Sequence, residues 1–276
     1  MVNEHDEYAD IPMKLLENSV GQLIRNGRVF YSRGGLKQAG YSFEDKGEKG
    51  VQVNAPSLDS LARKGSQQLS DEGDDRQRYS QLRGTCRDIA PAIGAFYVER
   101  GDAQDYQTMA CYQGKETEEG LSPNEYHYVT ILEVEGGKVL VDMGYNQPIP
   151  VPVKIDGGPV ESDFYAESQP KGFYGGIVVY EAKSQPDGSV ILTIGTPENP
   201  TQYKKFQFKP VDSKLDEAIV AKFGQLTGKN YATYPVAGEK GFVMQREDIK
   251  GENLLGDLNA LLADTSKKAS AAIACA

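Results

Sequence analysis

A thiol, an imidazole and a carboxylate together can carry an acyl group through a covalent intermediate, and this chain has few ways to assemble such a set. It contains three cysteines, Cys86, Cys111 and Cys275, and two histidines, His5 and His127. His5 lies among Glu4, Asp6, Glu7 and Asp10 in an acidic N-terminal stretch, so histidine-dependent chemistry falls to His127 and a His-rich zinc site is all but excluded. Cys275 belongs to a small-residue tail over 269–276. Cys111 reads as a core residue, or as a disulfide partner in an exported protein. Cys86 is the candidate nucleophile, His127 its base, and Asp142, fifteen residues beyond His127, the carboxylate that orients the ring. A thiol attacks as the thiolate, and a helix N-terminus with a nearby imidazolium lowers its pKa from about 8.5 to between about 3 and 7.

The elements around these residues are expected to supply that setting. Ile89, Ile93, Phe96 and Tyr97 recur at three-to-four spacing, which predicts a helix from Cys86 to Arg100 ended by Gly101, with Cys86 at its N-terminus. A strand is expected over 106–112, a glycine- and glutamate-rich loop over 114–125, and strands over 126–134 and 138–143 joined at Gly136-Gly137. That hairpin makes His127 and Asp142 neighbours on adjacent strands. The prolines at 148, 150 and 152 are expected to break the sheet.

Before this region, residues 11–25 carry a helical apolar stripe after Pro12, and Arg28-Val29-Phe30-Tyr31 is a strand candidate. Residues 57–78 are polar, a helical lead-in or a linker. Their acidic run over 70–75 lacks the glycine placement and closing glutamate of an EF-hand, so it reads as a solvated loop. After it, strands are expected over 174–182, 189–194 and 203–208, with a turn at Pro186-Asp187-Gly188. A helix over 212–223, a strand over 242–246 and a leucine-striped helix over 253–263 follow.

The 276 residues are 39% apolar and 25% charged, enough to bury a sizeable core. The net charge of -10 lacks any basic stripe for phosphate backbones, which excludes a nucleic-acid partner. No apolar run approaches the ~20 residues of a membrane span. The N-terminus lacks the basic start and apolar centre of a signal peptide. The compartment stays open, cytoplasmic as the chain stands and periplasmic or secreted if a leader has been removed.

Arg83-Gly84-Thr85-Cys86-Arg87-Asp88-Ile89-Ala90 resembles the nucleophile segment of bacterial transglutaminase-like proteins, commonly Arg-Gly-x-Cys-Arg-Asp followed by an apolar residue and Ala. The resemblance covers about residues 80–146. It implies an α+β protein with a papain/transglutaminase-like core, a nucleophile helix packed on an antiparallel sheet, over 80–155. A helix and irregular or β lead-in over 1–79 would precede it, and a β-rich C-terminal region with a closing helix would fill 156–276. Implied with it are a Cys86, His127, Asp142 triad and attack on a peptide or protein amide through a Cys86 thioester, water making the protein a peptidase or amidase and an amine making it a transferase. Animal transglutaminases place a tryptophan near the oxyanion, and this chain has none. The donors are therefore expected to be the Cys86 N–H with Gln81 or Tyr79, and Tyr126 and Tyr128 are candidates to line a substrate groove. No cofactor or metal is called for.

Leu140-Val141-Asp142-Met143-Gly144-Tyr145 followed by Pro148, Pro150 and Pro152 is similar to the Asp segment of arylamine N-acetyltransferases, as are the total length and the β-rich third region. This second resemblance implies acetyl transfer with acetyl-coenzyme A as co-substrate. The three-residue step from Arg83 to Cys86 follows the transglutaminase-like pattern, which makes that the main expectation. An inactive transglutaminase-like domain used for protein binding is the alternative outside enzymes.

Overall fold

A computed structural model describes residues 28–31, 36–37, 39–70, 83–117, 120–142, 151–154, 160–162, 178–195, 198–199, 204–224, 230–238 and 241–249. In chain order its elements are β1 (Arg28–Tyr31), β2 (Ser42–Asp45), β3 (Val51–Asn54), α1 (Leu58–Ser70), β4 (Arg83–Gly84), α2 (Cys86–Glu99), β5 (Asp105–Thr117) and β6 (Gly120–Val134). They continue through β7 (Gly137–Val141), β8 (Val151–Lys154), β9 (Val160–Ser162), β10 (Val178–Ser184), β11 (Val190–Gly195), β12 (Lys204–Pro210), α3 (Ser213–Phe223), β13 (Asn230–Gly238) and β14 (Gly241–Ile249). The expected helices over 11–25 and 253–263 and the acidic run after Ser70 lie outside the described residues.

Seven strands close into a barrel in the order β5-β6-β7-β8-β10-β11-β12, with β12 returning to pair with β5 and β9 attached to the side of β10. The result is a mixed α+β fold in which β5 to β8 and β9 to β12 belong to one sheet. Alternation along the strands sorts their side chains. Met109, Cys111, Val129, Ile131, Leu140, Leu192, Phe206 and Phe208 share the barrel interior. Tyr128, Thr130 and Leu132, the intervening residues of β6, face the other way. Leu132 joins Val139 and Val141 against Ile89, Ile93, Phe96 and Tyr97 of α2, the stripe that sequence spacing marked. The Thr130 hydroxyl donates to the Ala90 carbonyl, tying β6 to α2 one residue before Pro91. α1 packs on α2 so closely that a Cβ on Gly65 would come within 2.2 Å of the Ala92 Cβ.

A second, four-stranded sheet has the order β14-β13-β1-β4. Its parallel pairing of Arg28 with Arg83 and Val29 with Gly84 fixes the chain immediately before α2.

Two expectations are corrected. Residues 114–125 do not form a free loop: β5 runs to Thr117 and β6 starts at Gly120, with a register shift between Gln113/Glu125 and Gly114/Pro123 that passes over Asn124. Pro152 does not end the sheet either, because it lies in β8 opposite Val139 while the ladder to β10 begins only at Val153 and Lys154. A residue without an N–H is tolerated where one of its two ladders is missing.

Candidate active site

The segment around Cys86 is built by short-range bonds that its own sequence encodes. The Asp88 Oδ2 accepts hydrogen bonds from both the Thr85 N–H and the Thr85 hydroxyl at 2.7 Å, so the third helical residue satisfies a donor at the helix start. Asp88 Oδ1 accepts from the Tyr41 hydroxyl at 2.8 Å. Burial pushes the Asp88 carboxyl up, and the bonds from Thr85 and Tyr41 and the charge of Arg87 oppose that rise. Gly84 is required by the close approach: a Cβ there would lie 2.7 Å from the Asp88 Cβ. The Gly-Thr-Cys-Arg-Asp run therefore specifies a compact N-terminus that presents Cys86.

His127 and Asp142 reach the same place from the barrel. The β6–β7 ladder runs from Val134 opposite Gly137 to Thr130 opposite Val141, across the tight turn at Glu135-Gly136, where Gly136 has φ 89°. Asp142 follows directly and shares the interior parity of Leu140, as His127 shares that of Val129. The His127 Nε2 meets the Asp142 Oδ1 at 2.8 Å. Cys86 is the second group that acts on the ring, after Asp142. Cys86, His127 and Asp142 are 3%, 1% and 1% exposed, so the set is dry.

Burial would lower the His127 pKa, but the charge and hydrogen bond of Asp142, followed by those of Cys86, push it up to about 10. The ring is thus held as imidazolium through neutral pH. Phe206 and Phe208 flank it, with ring centroids at 6.1 and 6.0 Å. Cys111 sits directly opposite His127 in the β5–β6 register, buried in the barrel core.

The remaining expected site residues have other placements. Tyr128 does not line a groove: it is buried, and its hydroxyl donates to the Asp216 Oδ1 at 2.7 Å. Tyr126 is half-buried with its ring edge-on to Phe223 at 5.2 Å. Gln81 and Tyr79 lie outside the described residues. Among the described residues no group of three or more His, Cys, Asp or Glu side chains is disposed to hold a metal ion, and no helix is long and apolar enough to cross a membrane.

Sequence reading missed the partner of Arg87. Asp88 is the acidic residue adjacent to Arg87 in the sequence. Arg87 instead donates from its Nε and one terminal nitrogen to the two oxygens of Asp216 at 2.7 and 2.6 Å, 129 residues away on α3. Its other contacts are the Tyr41 hydroxyl and the Pro56 carbonyl, each at 2.9 Å. Burial opposes the charge, and the bonds and charge of Asp216 with those of Tyr41 more than restore it, so Arg87 stays protonated.

No protein-family profile matches the chain, and no curated protein sequence does. Solved structures do match. An arylamine N-acetyltransferase from M. smegmatis superposes with a TM-score of 0.52 at 14% identity, over 92% of this chain and 85% of that one. A substituted form of the Mycobacterium smegmatis enzyme gives 0.50 at 14% identity, over 91% and 84%. The chain shares its fold with arylamine N-acetyltransferases. Within that fold, Cys86 and the hydrogen-bonded pair of His127 and Asp142 are all buried.

Proposed function

We propose that the protein is a thiol-dependent acyltransferase that takes an acyl group from a thioester donor onto Cys86 and passes it to an amine. The observation that carries this reading is the dry Cys86, His127, Asp142 contact at the junction of α2 and the barrel, with imidazole Nε2 2.8 Å from the carboxylate. The shared fold favours acetyl transfer from a donor such as acetyl-coenzyme A over hydrolysis or transamidation of a peptide amide, which the Arg83-to-Cys86 spacing alone had put first.

The Cys86 thiolate attacks the donor carbonyl, and the developing oxyanion meets the Cys86 N–H, one of the helix N–H groups that have no intrahelical acceptor. As the tetrahedral adduct collapses, the carbon–sulfur bond to the donor breaks and His127 gives its proton to the departing thiolate. An amine then attacks the Cys86 thioester, and His127, now neutral, takes the ammonium proton. Collapse releases the amide and restores thiolate and imidazolium. Asp142 keeps Nε2 engaged throughout, so the ring always presents its other nitrogen to sulfur and substrate.

Rapid mixing with acetyl-coenzyme A in the absence of amine tests this. One equivalent of free coenzyme A thiol is expected in a burst, abolished in Cys86→Ser and strongly slowed in His127→Ala. Absence of a burst in a protein whose Cys86 alkylates quickly at pH 6 would move the reading to another acyl donor. Slow alkylation at pH 6 would defeat the activated-thiol reading altogether.

A further inference from the structure

Arg87 directly follows Cys86, Tyr128 directly follows His127, and both end on one carboxylate. Oδ1 of Asp216 accepts from the Arg87 Nε and from the Tyr128 hydroxyl, each at 2.7 Å, and Oδ2 accepts from an Arg87 terminal nitrogen at 2.6 Å. We propose that Asp216 is a positioning residue that sets the approach of the Cys86 sulfur to the His127 ring by tethering the chain neighbour of each. This rests on the reading of Cys86 and His127 as the reacting pair and adds a part that neither supplies.

Cys86 and His127 belong to different bodies, a helix and a barrel strand. Bonds within α2 fix Cys86 to its own helix, and the β6 ladder fixes His127 to the barrel. Near the site the two bodies are joined directly by the Thr130 hydroxyl on the Ala90 carbonyl, one full turn along α2 from Cys86. The apolar packing of α2 on β6 and β7 carries no direction, so a small rocking of the helix over it swings the N-terminus that carries the sulfur. A second joint beside the sulfur removes that freedom. The guanidinium fork binds both carboxylate oxygens in one plane, which fixes orientation as well as distance. α3 is itself seated by Ile219 and Phe223 in the apolar cluster that contains Cys86, Ala90 and Tyr128. Its N-cap is formed by the Asp212 carboxylate accepting from the Leu215 N–H at 2.7 Å, so Asp216 is offered from a firm support.

The test compares the full chain with Asp216→Asn, Asp216→Glu and Tyr128→Phe. Iodoacetamide alkylation of the Cys86 peptide is followed by mass spectrometry at pH 6 and pH 9.5, beside thermal unfolding of each variant. Asp216→Asn turns one acceptor into a donor facing Arg87. It is expected to slow alkylation at pH 6 at least ~10-fold while leaving the rate at pH 9.5, where any thiol is ionised, within about twofold. Tyr128→Phe removes one bond to a charged acceptor and is expected to give a ~3- to 10-fold loss at pH 6 alone. Asp216→Glu should recover part of the loss. A fast wild type with equally fast, folded Asp216→Asn and Tyr128→Phe proteins overturns the proposal and leaves the acyltransferase reading standing. A wild type no faster than an ordinary thiol at pH 6 removes both, since there is then no contact to hold. Should Asp216→Asn fail to fold, Tyr128→Phe decides: an unchanged ratio of the two rates overturns the tether.

Discussion

Replacing Asp142 by Asn removes a negative charge and leaves a side chain of the same shape against the His127 Nε2. In the native protein the imidazole is pushed from 6.5 up to about 10, and Asp142 is the main group that raises it against burial. At about 1.4 kcal/mol per pH unit, the interval is worth on the order of 5 kcal/mol in favour of imidazolium. Burial is already subtracted from that interval, and Cys86 supplies part of the rise. With Asn, burial acts unopposed by the carboxylate and the ring becomes neutral at pH 7. Two results follow. A raised histidine stabilises the fold fully below its unfolded pKa of about 6.5 and loses that contribution as pH rises through the folded value. The urea-unfolding free energy of the wild type should therefore fall by several kcal/mol relative to Asp142→Asn between pH 6.5 and 10, the two curves converging at the alkaline end. Cys86 alkylation at pH 6 should also collapse, since an ordinary thiol is only about 0.3% ionised there. Parallel stability curves for the two proteins across this window would refute the assignment of imidazolium and carboxylate as a buried pair.

Gly84→Ala should be tolerated poorly, because its new Cβ meets the Asp88 Cβ at 2.7 Å and Asp88 holds the helix start. A loss of about 1–3 kcal/mol in chemical denaturation is expected, with slower alkylation of Cys86. Arg87→Met leaves the Asp216 carboxylate and the Tyr41 hydroxyl without their guanidinium and should cost about 3–5 kcal/mol, seen as a lower denaturation midpoint. Thr130→Val removes the hydroxyl bond to the Ala90 carbonyl at almost constant volume and should cost about 1 kcal/mol in the same assay.

What could be read from the sequence was whatever local periodicity or turn chemistry encodes. The helix beginning at Cys86 followed from Ile89, Ile93, Phe96 and Tyr97, the His–Asp neighbourhood from one glycine turn, and α3 from the stretch after Asp212. Tyr128 was misread because its flanking of His127 says nothing about direction: alternation turns it away from the ring, toward α3. The Arg87–Asp216 pair left no local trace, since each residue alone reads as an ordinary surface charge and only the packing of α3 against α2 and β6 joins them. Barrel closure is equally non-local, depending on β12 returning to β5 across about a hundred residues of chain. Pro152 misled because a rule for interior strands was applied where one ladder is absent.

The central claim is that Cys86 carries the acyl group. Intact-protein and peptide mass spectrometry after brief exposure to acetyl-coenzyme A without amine tests it most directly. One acetyl group is expected on the peptide containing Cys86, lost on adding an amine acceptor and never formed in Cys86→Ser. Persistent acetylation confined to lysines, or an unmodified Cys86 under conditions where coenzyme A is released, would contradict it.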